Sequence, residues 1–587
     1  MWEAFLLVST ALGGIFVLVF LYLIGTKQYR FSPKVTFTAR HVPVHPELKN
    51  HSKTFQKEII PIAENVHVAI GFGLANSILI EGTDCCIIID TLECDEAAEE
   101  VREAFRAITK KPIKAVIITH FHPDHAYGIG CFLDDNPDVI AHETTRKFLE
   151  QVANIRSLIT YSRGMKQFGS LLGEGMHENS GIGGKLRFGP SNGFKLFNPT
   201  VTVSKQLEVT YGGITLEIIH APGETEDQLM IWWPEKKILF PADNIYTAFP
   251  NIYAIRGTMA RDPLLWISAL DKMLSLQPEI LIPQHTRPLS GKAEIKSTIT
   301  AYRDGIQFIH DQALKWMNQG CNEIETAQKV AECFPNALKS HPYLKEFYGT
   351  IKWGTRGIFH HYLGWFGGQP SSLHKLSTLK RSQNIVKVVG NENALFEKAL
   401  IAMKTKHYQF ALEICDVLLE SGWTWMNKVR AIKIESLCQL AELAISANAR
   451  NWYLTTILEL EGMEIKPQAP QIKAQITGLK KMEDFFRFLV VRVNPEKLDE
   501  GEFLARFCFT DTDEDIFVQL KHGCATLRTG TDFNEGCDLT VKTTSDVWKS
   551  VACREVNPIT AWMGGGLSIQ PHPFKLSTFM SYFDVAQ

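Results

Sequence analysis

The stretch that most restricts the fold is KAVIITHFHPDHAYG, Lys114 to Gly128. Its first half is a short apolar run that reads as a buried strand. Before it, ECDEAAEEVREAFRAIT (Glu93 to Thr109) spaces Ala, Val, Phe and Ile as a helix does, and ENVHVAIGFGLANSILIEGTDCCIIIDT reads as a strand meander with Gly-containing turns. This strand–helix–strand alternation indicates a layered α/β domain. The second half of the stretch sets three histidines and an aspartate within six positions, His120 to His125. His120 and His122 are two apart and point to one side of an extended backbone. Asp124 and His125 follow Pro123, where the loop turns, and reach a second point nearby. The arrangement suits two adjacent cations. Imidazole and carboxylate ligands without thiolates fit Zn²⁺, with Mn²⁺ or Fe as alternatives.

Four ligands do not complete a two-metal site, so further strand ends must contribute. Glu224 follows a strand in HAPGETEDQ, Asp243 ends the apolar run in KKILFPADN, and His285 ends EILIPQH. Each stands just after a β-type run, where α/β folds gather their sites. Asp90, ending CCIIID, reads equally as a turn residue or as an orienting partner for a ligand histidine.

Beyond residue 295 the pattern becomes helical, with Ala-rich paired segments as far as residue 465 and no clean repeat period. From about Ile472 strands joined by acidic and Gly turns return, and Ser545 reads as a helix cap. At the other end, Ala4 to Gly25 is an uncharged run of 22 residues, long enough to cross a bilayer as a helix. Glu3 precedes it, while Lys27, Arg30 and Lys34 follow, which places the bulk of the chain on the cytosolic side. The alternative is an atypical signal peptide. The formal net charge of −3 removes the global basic surface that nucleic-acid binders carry. Twelve scattered cysteines without a CxxC pair do not form a disulfide scaffold.

The order THxHxDHxxG, then PGxT, then a strand-ending Asp and a strand-ending His resembles the metallo-β-lactamase superfamily, an αββα sandwich with a two-metal site along one edge. The commoner superfamily pattern has His after PG, where this chain has Glu224, and that points to the alkylsulfatase branch. GLANSILIEG (Gly73 to Gly82) is similar to that branch's N-terminal strand motif. NIYAIRGTMARDPLLW (Asn251 to Trp266) is similar to its Arg-containing loop, and FYGTIKWGTRGIFHHYLGWFGGQP (Phe347 to Pro370) to its helical dimerisation signature. The last 115 or so residues resemble its sterol-carrier-like domain. Two departures stand out. The bacterial pattern PGTEAPAE reads PGETEDQ here, so aligning Glu224 needs a one-residue gap, and Asp243 replaces the usual Glu.

The resemblance implies a fold and a site. The fold is an α/β metallo-β-lactamase sandwich (58–295), an all-α dimerisation domain (296–465) and a small α+β domain (472–587); the transmembrane anchor (1–30) read from the N-terminal run is a third difference from the family, bearing on location more than on chemistry. One zinc falls to His120, His122 and Glu224, the other to Asp124, His125 and His285, with Asp243 bridging. Asp124 and Arg256 are the residues expected to carry the reaction, Arg256 at the sulfate-binding position. The resemblance implies a homodimeric enzyme with two Zn²⁺ per chain, while the N-terminal run and the charge balance add a single-pass membrane protein, cytosolic in its bulk, with no nucleic-acid partner. It cleaves sulfate esters with an apolar tail, with a metal-bound hydroxide as nucleophile. The alternatives are a hydrolase of phosphoesters, thioesters or lactones, and a lipid-binding membrane protein whose hydrolase domain is vestigial. GIGGKL (Gly181 to Leu186) lacks the pattern of a phosphate-binding loop and reads as a loop over the pocket. His220, His360 and His361 read as structural or as partners behind a ligand rather than as ligands, and the aromatics Tyr362, Trp365 and Phe366 as packing.

Overall fold

The computed structural model describes residues 41–583 apart from 154–156, 188–195, 425, 467–472, 474–475, 480, 499–500 and 531–535. The first seven strands form one sheet in chain order: β1 (Glu58–Ala63), β2 (Val66–Ile70), β3 (Ser77–Glu81), β4 (Cys86–Ile89), β5 (Ile113–Ile117), β6 (Asp138–His142) and β7 (Val201–Val203). β1 to β4 pair antiparallel, and β4 to β7 are parallel. A second sheet runs in the order β13-β12-β11-β10-β9-β8. Its strands are β8 (Gln206–Tyr211), β9 (Ile214–His220), β10 (Leu229–Trp233), β11 (Ile238–Phe240), β12 (Ile280–Leu281) and β13 (Leu289–Ser290).

The two sheets face one another across a core of β-branched residues. Ile87 and Ile89 of β4 and Ile117 of β5 meet Leu216 and Ile218 of β9 and Ile231 of β10. Because side chains alternate along a strand, Cys86 and Ile88 point the other way, onto Val101 and Phe105 of the helix Asp95–Ile108. The outer face of the second sheet is covered by the helices Pro263–Leu276 and Lys292–Asn318, through Trp266, Leu270, Ile299 and Ile306. The inner strands of both sheets are therefore buried on both faces, which is why β3, β4, β10 and β11 are near-continuous apolar runs, whereas the edge strand β8 alternates with exposed residues. The result is an αββα sandwich.

Helices follow in succession from Lys292–Asn318 to Ala447–Leu460. Arg450 on the last of these is fully buried and donates to the carbonyls of Val42 and Pro43 at 2.8 and 2.7 Å, tying the start of the described chain to the helical region. A third sheet, of order β16-β15-β14-β17-β18, lies in the C-terminal part. It spans β14 (Phe503–Phe509), β15 (Glu514–Lys521), β16 (Cys524–Thr529), β17 (Leu539–Thr543) and β18 (Leu567–Gln570). Its interior holds Phe486, Phe507, Trp548 and Phe579. The cap of the helix Ser545–Ala552 is Thr544 rather than Ser545, because the Ser545 hydroxyl donates instead to Asp511 at 2.6 Å.

Among the described residues no helix is long and apolar enough to cross a membrane; the run Ala4–Gly25 lies outside them. The GIGGKL segment packs closely on the sandwich. A Cβ on Gly183 would fall 2.1 Å from the Leu74 carbonyl, so the loop is wedged against that backbone. Of the YLGWF aromatics, Tyr362 places its hydroxyl 2.9 Å from His310 Nε2 and Trp365 meets Phe366 edge-on with ring centroids 5.6 Å apart, yet Trp365 is 70% exposed and Tyr362 is exposed too.

Candidate metal centre

Seven candidate ligands converge at the strand ends on one edge of the sandwich. The turn after β5 carries His120, His122, Asp124 and His125; Glu224 follows β9, Asp243 follows β11, and His285 follows β12. All seven are buried. They fall into two groups whose ligand-type atoms lie within 4.8 Å of one another, His120, His122, Glu224 and Asp243 in one and Asp124, His125 and His285 in the other. In the first, His120 Nε2 stands 3.0 Å from His122 Nδ1, and Glu224 Oε2 lies 3.3 Å from the same Nδ1. In the second, Asp124 Oδ2 lies 3.5 Å from His125 Nε2 and 3.4 Å from His285 Nε2. Asp243 stands between them, its Oδ2 at 3.8 Å from His120 Nε2, 3.4 Å from His125 Nε2 and 3.1 Å from His285 Nε2. One carboxylate thus faces both groups.

Each ligand has a holder. Asp90, at φ 59°, takes the Nδ1 of His125 at 2.8 Å and both the N–H and hydroxyl of Thr119 at 2.8 Å. It is a turn residue and an orienting partner at once. The GLANS stretch holds His285: the Leu74 carbonyl lies 3.1 Å from its Nδ1, and Asn76 donates to the carbonyls of Pro283 and Thr286 on either side. Asn244, beside Asp243, accepts the Glu224 N–H at 3.0 Å and donates to the Ala221 carbonyl at 2.8 Å. A Cβ on Gly223 would meet that Asn244 oxygen at 2.3 Å, which is why PG precedes the ligand. Arg261 forms a buried ion pair with Glu224 and donates to the Asn251 carbonyl at 2.5 Å. Asn76, Asn244 and Arg261 were not singled out in the sequence, although each lies in or beside a stretch that was.

Electrostatics at the centre favour positive charge. Burial works to raise the Asp243 carboxyl, yet His285 and His125 carry it well below the ordinary carboxylate range. Burial likewise opposes Asp124 and Glu224; His125 and His285 pull Asp124 far down, and Arg261 with His122 brings Glu224 to about 2. Burial holds His120 and His122 neutral, whereas Asp243, Asp124 and Asp90 overcome it at His125 and raise that imidazole well above its usual value. A field that strong toward cations suits metal ions as well as protons. Three buried ligand atoms, His125 Nε2, Glu224 Oε2 and Asp243 Oδ1, have no hydrogen-bond partner. Buried polar atoms are normally satisfied, and these are the atom types that zinc takes. The residues fit the group.

Arg256 reaches the same place from the Asn251–Trp266 loop. Its Nη2 lies 3.2 Å from His122 Nε2, and its Nη1 is buried without a partner. A cavity of about 210 Å³ opens at His122 and Glu224, lined among others by Phe121, Pro222, Thr225, Met259, Leu265 and His361. His361 therefore borders the pocket from the helical region. His360 instead faces Glu323 at 3.3 Å, and His220 stacks on His142 with ring centroids 4.1 Å apart. Neither is among the ligands.

An αββα sandwich with two such ligand groups at one edge defines the class, a metal-dependent fold with its site at the sheet ends. Comparison with known proteins narrows it. Residues 70–285 match the metallo-beta-lactamase superfamily model, 322–463 the alkyl sulfatase dimerisation model, and 471–587 the alkyl sulfatase C-terminal model. A linear primary-alkylsulfatase of a Pseudomonas species is 29% identical over 524 residues, covering 86% of this chain and 98% of that protein. An alkyl/aryl-sulfatase of Saccharomyces cerevisiae is 26% identical over 543 residues, covering 90% and 82%. The solved structure of the stereoselective inverting sec-alkylsulfatase Pisa1 from a Pseudomonas species superposes with a TM-score of 0.84 at 25% identity, covering 93% of this chain and 87% of that one. The chain belongs to the alkylsulfatase branch of the metallo-β-lactamase superfamily.

Proposed function

We propose that this protein is a dinuclear zinc hydrolase of sulfate monoesters of apolar, alkyl-type alcohols. The observation that carries the reading is Asp243 facing both ligand groups while the free Nη1 of Arg256 stands beside them. His120, His122 and Glu224 would hold one ion, Asp124, His125 and His285 the other, with Asp243 shared. Two zinc ions held there would lower the pKa of a bound water and offset charge on the attacked ester.

The protein's own groups do the rest. A sulfate monoester is a fixed anion, and the planar guanidinium of Arg256 matches its oxygens. Arg261 keeps Glu224 ionised and in place by the buried ion pair. Asp90 fixes His125 so that its Nε2 faces the centre. Phe121, Met259 and Leu265 give the pocket an apolar flank for the alcohol chain and limit water around the ester. The names of the two relatives described above, both sulfatases matched over most of their length, support the same substrate class.

Two further parts of the reading concern where the protein works. The uncharged run Ala4–Gly25, followed by Lys27, Arg30 and Lys34, supports a single-pass anchor with the bulk of the chain cytosolic. The exposed Tyr362, Leu363, Trp365 and Leu379, within the region that matches the dimerisation model, support a homodimer. The function is tested by metal analysis coupled to a sulfate-release screen over alkyl, aryl and steroid sulfates.

A further inference from the structure

The peptide of Arg256 is held from both sides by one helix, Ser157–Phe168. Arg163 donates from Nε to the Arg256 carbonyl at 2.7 Å and from Nη2 to the Ile255 carbonyl at 2.5 Å. One turn further, Gln167, fully buried, accepts the Arg256 N–H at 2.9 Å. Residues four apart share a helix face, so one rigid element grips both the donor and the acceptor of the same residue. The next side chain, Phe168, lies with its ring 5.5 Å from the Arg256 guanidinium carbon. Gly257, at φ 89°, turns the chain immediately afterwards, and its N–H closes onto the Ala254 carbonyl at 2.9 Å.

The grip is itself braced by the helical region. The Arg163 guanidinium carbon lies 5.1 Å from the ring of Trp452, on the helix Ala447–Leu460, and Lys166 stands 5.7 Å from the same ring. Such contacts orient a guanidinium without removing its donors. The side chain of Arg256, by contrast, has a buried Nη1 with nothing to bind.

We propose that Arg163 and Gln167 are positioning residues for anion binding: they fix the Arg256 backbone so that its free guanidinium edge is aimed at the substrate sulfate. The helical region is thereby coupled, through Trp452, to the anion site of the sandwich. The inference rests on the reading of Arg256 as the sulfate-binding group. A misplaced Arg256 loses affinity for the anion, while the metal ligands, which neither residue touches, keep their ions.

The test uses the zinc-loaded full chain and the variants Arg163→Met, Arg256→Ala and their combination. Inorganic sulfate affinity is read by calorimetry, KM and kcat on an alkyl sulfate, and zinc content by elemental analysis. Arg163→Met is expected to weaken sulfate binding and raise KM by about tenfold, with a smaller change in kcat and unchanged zinc, about 1.4 kcal/mol by the usual conversion. The double variant is expected to bind sulfate no more weakly than Arg256→Ala alone. Sulfate binding by Arg163→Met as tight as wild type, or losses that multiply in the double variant, would overturn the proposal. Should Arg163→Met not fold, Arg163→Lys is read in its place, and unchanged sulfate affinity there overturns it equally. A wild type that binds sulfate but cleaves no alkyl sulfate sinks the proposed function and leaves this inference to be decided on affinity; a wild type that binds no sulfate overturns both.

Discussion

Asp90 accepts the Nδ1–H of His125 at 2.8 Å from a backbone held at φ 59°. The contact fixes which imidazole nitrogen faces the metal centre, and the same carboxylate gathers the N–H and hydroxyl of Thr119. Replacement by alanine removes the orienting group and frees the loop that carries four ligands. Asp90→Ala is expected to lower zinc affinity or activity by about 10–100-fold. Competition with a chromophoric chelator measures it, and affinity within twofold of wild type would refute the role.

Arg261 and Glu224 form an ion pair at which both side chains are almost wholly buried. Removing the cation leaves an uncompensated carboxylate in the interior. In metal-free protein Arg261→Met is expected to cost about 3–5 kcal/mol by denaturant unfolding. In zinc-loaded protein the loss should shrink, because a bound cation takes over part of the compensation. Equal losses in both states would show that Glu224 does not face a cation.

Gly128, the last residue of the histidine stretch, has no room for a side chain. A Cβ there would lie 2.0 Å from the Thr91 carbonyl and 2.5 Å from the Ala98 Cβ. Gly128→Ala is expected to destabilise by about 1–3 kcal/mol or more, since backbone must move. Thermal unfolding measures it.

Glu93 and Asp227 are fully buried carboxyls outside the ligand set, and burial raises each to about 7. Their unfolded values lie near 4, so between there and pH 7 the unfolded chain ionises while the folded chain stays protonated. Their contribution is complete below the unfolded value and is lost as pH rises towards 7, a few kcal/mol each at most on the order of magnitude that such shifts imply. In metal-free protein Glu93→Gln and Asp227→Asn should flatten the fall in stability over that window. An unchanged slope in both variants would contradict the assignment.

How much of this was legible in the sequence follows from distance along the chain. The four ligands from His120 to His125 are local, and their crowding is visible without a fold. Glu224, Asp243 and His285 were reachable because each ends an apolar run, and the sheet order brings those ends to one edge. The groups that hold the ligands were harder to see, since their partners are remote: Asn76 acts on residues more than 200 positions away, and Arg163 on Arg256 at a separation of 93. Arg261 carries a general reason for being overlooked, because most arginines pair at the surface and only burial distinguishes this one. The YLGWF aromatics pack in part within the subunit, Tyr362 on His310 and Trp365 on Phe366, and the area they leave exposed becomes intelligible once a second surface is considered.

The two ligand groups and Arg256 are proposed to hydrolyse a sulfate ester together. The most direct measurement is inorganic sulfate released from a long-chain alkyl sulfate, followed by ion chromatography with metal content determined on the same samples. Expected are two zinc ions per chain, sulfate release that ceases on chelation and returns on adding zinc, and a loss of at least about 100-fold in kcat/KM for Arg256→Ala, on the order of one charge-assisted contact to a buried anion. Protein that holds two zinc ions yet releases no sulfate, while turning over a phosphoester or thioester, would contradict it.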